Sequence, residues 1–241
     1  MQYAKSAHTP DLLEGIPNIP PGGQAILEVA SRLFANRGYE ATSMGEVARQ
    51  AGVSKANVFH HFGSKHGLYL EVMREACQDS REALCRVRGK GESVARQLSA
   101  FLHHHLDILL RREQISRLIM REIMESSPEG AKELAEQVFF DSFTELVEIV
   151  REGQQSGEFR SDMDPSLLAH LIISTNVFFF QSRNVLRHFP LVDFADDPQR
   201  YVEMASDLLF HGCLRRPVDN TPSDACANPV LPAKSQEKVH D

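Results

Sequence analysis

TSMGEVARQAGVSKANVFHHFGSK, residues 42–65, carries its own start, turn and stop signals. Ser43 places a hydroxyl ahead of a helix. Glu46, three residues on, is positioned to reach back to it, the reciprocal pattern of a capping box. Val47, Ala48 and Ala51 supply an inward face, with Ala48 small where a second helix must pass closely. Gly52 stands where the first helix has to stop and the chain must turn left-handed. Val53 plugs the corner. Ser54 caps a second short helix whose Val58 and Phe62 point inward, and Gly63-Ser64 ends it and caps the next. Two short helices across a glycine turn make a helix-turn-helix, the geometry that sets the second helix into a DNA major groove.

The stretch closely resembles the DNA-binding segment of TetR-type (tetracycline-repressor-like) transcriptional regulators. The resemblance is carried by Thr42-Ser43, Val47-Ala48, Ala51-Gly52-Val53-Ser54-Lys55, Ala56-Asn57-Val58-Phe59-His60-His61-Phe62 and Ser64-Lys65. It implies DNA contacts from Thr42, Ser43, Ser54, Lys55, Ala56, Asn57, Phe59, His60, His61 and Lys65. Asn57, early in the second helix, can bond adenine through both ends of its amide. Lys55 and Lys65 are expected to grip phosphates. Three positions depart from the family pattern. Phe59 replaces a common Tyr, which removes a hydroxyl that would hold a phosphate. His60 stands where an aromatic donor is common, and His66-Gly67 replaces an acidic pair. His60 could take over the phosphate contact, more strongly when protonated, so that binding tightens as pH falls from about 8 to 6. Alternatively His60 and His61 only fill space beside Phe62.

Working outward, residues 1–23 are polar with several Pro and Gly-Gly, and are expected to be a loose arm before the first helix. Ile26, Val29, Ala30, Leu33 and Phe34 then recur at helical spacing up to Gly38. The expected DNA-binding domain is 24–70, with the helix-turn-helix at about 43–62. A long helix from Ser64 to about Val87 links it to a helical regulatory and dimerisation domain, 71–214, and Gly89-Lys90-Gly91 breaks that helix. Ser127-Pro128, Asp164-Pro165 and Asp197-Pro198 each combine a cap with Pro in the first turn, a start signal for three further helices. No alternating strand pattern or internal repeat is present, so the fold class is all-α: a three-helix head joined by a long helix to a helical body. Residues 215–241 lack periodicity and are expected to be a disordered tail.

The last two long helices are apolar over much of their circumference, through Leu167, Leu168, Leu171, Ile172 and Val177 to Phe180, then Tyr201, Met204 and Leu208 to Phe210. Such helices need cover on more than one side. The resemblance agrees, since TetR-type regulators form homodimers through their last two long helices. It also implies a ligand cavity in the body and binding to a palindromic operator, usually as a repressor. Candidate liners for a small, largely apolar effector are Phe101, His105, Met120, Met124, Phe139, Phe143, Asn176 and Phe180. Arg117 and Arg121, one turn apart, could hold a carboxylate or phosphate at the cavity mouth, or could be a solvated face.

Composition limits the alternatives. A net charge of −7 is unusual for a DNA binder. Residues 20–76, however, hold six Lys and Arg against five Asp and Glu, a local balance of +1. The four Cys do not form a disulfide framework. Cys77 and Cys85 lie about two turns apart on one helix, too far to bridge. Consecutive residues of a helix diverge by about 100°, so His103-His104-His105 cannot jointly hold a metal ion. No metal or other cofactor is expected. The chain carries no Gly-rich phosphate loop, HExxH helix or nucleophile elbow, so no enzyme is expected. The stretch 167–180 is too short and too polar to span a bilayer, and with no leader pattern the expected location is cytoplasmic. The competing function is a small-molecule-binding or scaffold protein that keeps the helix-turn-helix only as a packing module.

Overall fold

The computed structural model describes residues 21–88 and 91–213. Residues 1–20 of the expected arm, Gly89-Lys90 of the expected break and the expected tail lie outside the described residues. Regular structure among those described is helical. The helices are α1 (Pro21–Ala41), α2 (Met44–Ala51), α3 (Lys55–Phe62), α4 (Lys65–Val87), α5 (Val94–Arg111), α6 (Glu113–Glu125), α7 (Pro128–Leu134), α8 (Phe140–Gln155), α9 (Pro165–Leu186) and α10 (Pro198–Cys213). A π-helical turn, Ala135–Phe139, joins α7 to α8 in place of the single helix expected there. Residues 21–23, placed in the arm from sequence, instead form the first turn of α1. Pro is compatible with that position because its missing N–H would find no helical partner there. At the other end of α1, Gly38 (φ 80°, ψ 174°) kinks the chain where the apolar periodicity stops.

The start signals work through hydrogen bonds. The Ser43, Ser54, Ser64, Ser93 and Ser127 hydroxyls each accept from the N–H three residues later. Asp164 accepts from the N–H groups of Ser166 and Leu167. Each cap satisfies donors that a helix N-terminus otherwise leaves unpaired. At α5 a second cap comes from far along the chain. The Glu158 carboxylate accepts from Val94 N at 2.8 Å and Ala95 N at 2.9 Å, tying α5 to the loop before α9. Hydrogen bonds to a charged acceptor are the stronger kind.

Two apolar cores divide the molecule, and their boundary does not follow the sequence boundary. One holds Ile26, Leu33 and Phe34 of α1, Val47 of α2, Val58 of α3 and Leu68 to Ala76 of α4, together with Ile115, Leu118, Ile119 and Met120 of α6 and Val138 of the π turn. The other joins the far end of α4 to α5, α8, α9 and α10 through Leu84, Leu98, Phe101, Leu146, Ile149, Leu168 and Phe179. Helix α6 therefore belongs structurally to the DNA-binding end. Polar links reinforce this: the Tyr69 hydroxyl donates to Glu122 Oε2 at 2.8 Å, and Arg112 binds Glu75 at 3.2 Å and Asp79 at 3.1 Å.

Close approach dictates one residue of the body. A Cβ at Gly153 of α8 would lie 2.5 Å and 2.7 Å from ring carbons of the buried Phe159, with Val94 at 3.2 Å. Gly153→Ala should therefore lose stability, despite the better helix propensity of Ala, by a net ~1–2 kcal/mol. A thermal melt checks this, and an unchanged melting temperature would mean that the Phe159 ring moves aside freely.

Candidate DNA interface and effector site

The second helix of the helix-turn-helix, α3, is presented by its caps and by one buried side chain. Ser54 Oγ accepts from Asn57 N at 3.1 Å, and Gly63 N donates to Phe59 O at 2.8 Å. Gly52, between α2 and α3, takes φ 69° and ψ 25°, a left-handed conformation that costs a residue with a Cβ more than it costs glycine. Val58 is fully buried beneath the helix, which leaves Lys55, Ala56, Asn57, Phe59 and His60 on the open side. The Lys55 ammonium sits 5.7 Å from the Phe59 ring centre. This surface carries the polar groups of Lys55, Asn57 and His60 on a helix capped at both ends, as reading base edges requires.

Other residues expected at the DNA turn out to be engaged within the protein. Thr42 is buried and its hydroxyl donates to Gly38 O at 2.9 Å, closing the corner between α1 and α2. The hydroxyl proton is thereby committed within the protein and not presented to a phosphate. Ser43 does cap α2, but the Glu46 carboxylate does not return to it. That carboxylate pairs with Arg37 at 2.8 Å and Arg49 at 3.7 Å and accepts from Gln50 at 3.1 Å, so only half of the capping box forms. Lys65 Nζ donates to Glu40 O at 3.2 Å and lies 4.2 Å from the Tyr39 ring centre. Its charge stabilises the carbonyl end of α1, where a cation is favoured. His61 is only partly exposed and lies against Phe62, with ring centres 5.9 Å apart. His66, a departure from the family pattern, pairs through Nε2 with Glu133 of α7 at 2.7 Å and so joins the start of α4 to the body. Arg49, missed in the sequence-derived set, is exposed on α2. Its only local signal was a cation in the last turn of a helix beside the recognition helix.

Replacing Asn57 should be the most specific test of this face. Asn57→Ala is expected to cost roughly 1–3 kcal/mol of operator affinity and to relax the preferred base at one position per half-site. Unchanged affinity with an unchanged preferred site would remove Asn57 from base reading.

The candidate effector residues separate into groups. Phe101 and His105 of α5 stack with ring centres 5.5 Å apart and planes 7° apart. His105 Nδ1 lies 3.4 Å from Nδ2 of Asn176, which is fully buried on α9. Asn176 Nδ2 also donates to Leu102 O at 2.8 Å, while Asn176 Oδ1 has no donor. A buried acceptor left without a partner costs about 1–3 kcal/mol, so such an atom calls for an explanation. Burial lowers the His105 pKa to about 4, keeping the ring neutral. Phe180, one turn beyond Asn176, is buried with the Arg117 guanidinium 5.5 Å from its ring centre.

The remaining candidates do not join this cluster. Met120 belongs to the core at the DNA-binding end, and Phe139 is only partly buried against that same core. Met124 is 82% exposed on the last turn of α6, and Phe143 faces solvent on α8. Arg121 is exposed, and Arg117 is engaged by Glu113 at 2.8 Å, so the two form a solvated face and not a clamp. His103 binds Gln199 at 3.1 Å, away from the buried ring of His105. No group of His, Cys, Asp and Glu that could hold a metal ion occurs among the described residues. Burial pushes the Cys77 thiol up to about 12, far from the thiolate range.

Two short capped helices across a glycine turn, carried on a helical body, are the arrangement of a helix-turn-helix protein. Residues 26–72 match the family of bacterial regulatory proteins, tetR family, and residues 95–207 match the tetracyclin repressor-like C-terminal domain. The chain belongs to the TetR family. Over 161 residues it is 24% identical to the HTH-type transcriptional repressor KstR2 of Mycobacterium tuberculosis, covering 62% of this chain and 75% of that protein. It is 21% identical over 156 residues to the fatty acid metabolism regulator protein of Bacillus subtilis, covering 64% of this chain and 79% of that protein. The fold is shared with the fatty acid degradation regulator FadR of Bacillus halodurans, at a TM-score of 0.64 and 19% identity over 79% of this chain and 95% of that one. These relatives are named as regulators, which gives the scaffold-only reading no support. No helix of the described residues is long and apolar enough to cross a membrane.

Proposed function

We propose that this protein is a homodimeric transcriptional repressor that binds a palindromic operator and releases it when a small, largely apolar effector enters the body. The exposed face of α3 is the observation that carries the DNA-binding half. Lys55, Asn57 and His60 offer polar groups from a helix fixed by Val58 below and by caps at both ends. A dimer would present two such helices to successive major grooves about 34–36 Å apart. Lys55 and Arg49 are assigned to phosphates, and Lys65 to holding the end of α1. The effector half rests on the aromatic and amide cluster around Asn176 and on a relative named as a fatty acid metabolism regulator. Because α6 belongs to the core of the DNA-binding end yet carries Arg117 against Phe180 of α9, it is the element through which occupancy of the body could shift the spacing of the reading heads. An effector acts only if it binds one spacing better than the other.

The test is selection of bound DNA from a random pool, followed by a release screen with apolar compounds. An inverted repeat with half-sites one helical turn apart is the expected product. Compounds that release it should also raise the melting temperature of the free protein, since both effects follow from preferential binding to one state. A pool that yields no enriched sequence would overturn the DNA-reading half. Stabilisers that never alter DNA affinity would overturn the sensor half alone.

A further inference from the structure

The amide of Asn176 has a fixed orientation. Its Nδ2 donates to Leu102 O at 2.8 Å, and a flipped amide would set oxygen against oxygen. Oδ1 is therefore the atom left over, fully enclosed and without a donor. The same Nδ2 lies 3.4 Å from His105 Nδ1. That nitrogen then acts as the acceptor, and the proton of the neutral ring sits on Nε2. The imidazole is held flat against Phe101, with planes 7° apart. One wholly enclosed acceptor, beside a stacked aromatic pair and with no charge engaging it, is an arrangement suited to an uncharged donor.

We propose that Asn176 Oδ1, flanked by the stacked Phe101 and His105 rings, is the polar anchor of the effector site and takes an uncharged apolar ligand through a hydroxyl or amide N–H that donates to it. This rests on the sensor reading above and narrows it to a chemical class. A carboxylate is disfavoured, because it can only accept and Oδ1 can only accept. The Arg117 guanidinium across Phe180 is no remedy, since Glu113 already engages it at 2.8 Å. An alcohol or a primary amide on an apolar frame supplies the missing donor.

Four compounds that share a dodecyl chain test the assignment: 1-dodecanol, dodecanamide, dodecanoate and dodecane, with naphthyl counterparts as a second frame. Binding to the full chain is followed by thermal shift and titration calorimetry. In the native protein the alcohol and the amide should bind more tightly than the acid and the hydrocarbon. Asn176→Ala removes the amide without crowding a fully buried site and leaves Leu102 O its helical bond, so the variant should fold. It should lose roughly tenfold or more in affinity for the alcohol, with little change for the hydrocarbon. A variant that keeps the preference for the alcohol, or a native protein that prefers the acid, overturns the assignment. Acid and hydrocarbon binding without regard to Asn176 removes the anchor and leaves the sensor reading standing. If none of the compounds binds on either frame, the assignment of the anchor falls, and the release screen decides the sensor reading separately.

Discussion

Phe178→Asp should turn a dimer into a monomer and lower affinity for a palindromic operator by about 100-fold or more, because the second half-site is then no longer engaged at high effective concentration. Phe178 is 72% exposed near the middle of α9. Leu171, Phe178 and Val185, all exposed on that helix, recur at seven-residue intervals, and Leu167 lies one turn before the first. A seven-residue repeat puts one stripe along a helix. The opposite face, with Leu168, Ile172, Asn176 and Phe179, is buried in the protomer. On α10, Met204 and Leu208 are likewise exposed, one turn apart. Large apolar side chains left exposed in a stripe along a helix mark an interaction surface. Another exposed apolar set, Ile123, Met124, Phe140 and Phe143, lies on α6 and α8. Light scattering and operator titration separate the two faces. A Phe178→Asp protein that stays dimeric, while Met124→Asp does not, would move the interface to α6 and α8.

Local signals were readable from sequence because their physics is local. Ser43, Ser54 and Ser64 each cap the helix they precede, and Gly52 takes the left-handed turn that its place between α2 and α3 demands. The Pro at the start of α7, α9 and α10 marks each helix for the same reason. Apolar periodicity likewise gave α9 more apolar surface than one face needs. What periodicity cannot say is which neighbour receives a face. Met120 and Met124 are one turn apart on α6, and from sequence both suited a cavity. Met120 enters the core at the DNA-binding end, while Met124 falls on the last turn and stays exposed. Polar partners distant in sequence are equally hidden. Nothing near Thr42 announces that the kink at Gly38 brings a carbonyl to its hydroxyl, and nothing near Val94 announces that Glu158 will cap it. Lys65 matched the family pattern by type, yet its ammonium is drawn to the end of α1 by a carbonyl and an aromatic ring. Asn176 and His105 were both candidates, but that they meet, and that one oxygen is left over, is a property of how α5 and α9 cross.

Acidification should unfold this protein partly through His105. The ring is 7% exposed, and burial lowers its pKa from 6.5 to about 4. In the unfolded chain the imidazole takes up a proton as pH falls through about 6.5, whereas the folded chain refuses it until about 4. The unfolded state therefore binds more protons between those values, and stability rises with pH across that window. The contribution is fully present above about 6.5 and lost on the way down to about 4, a total of roughly 3 kcal/mol. Acid acts on many groups of a protein at once, so the decisive quantity is a difference between two proteins. His105→Gln removes the titrating ring and keeps an acceptor for Asn176. Between pH 7 and pH 4.5, denaturant unfolding should show the native protein losing roughly 2 kcal/mol more than the variant. Parallel stability curves would mean that the imidazole is not held neutral. A neutral ring also has a functional consequence. At physiological pH a neutral His105 cannot supply a positive charge to hold an acidic effector.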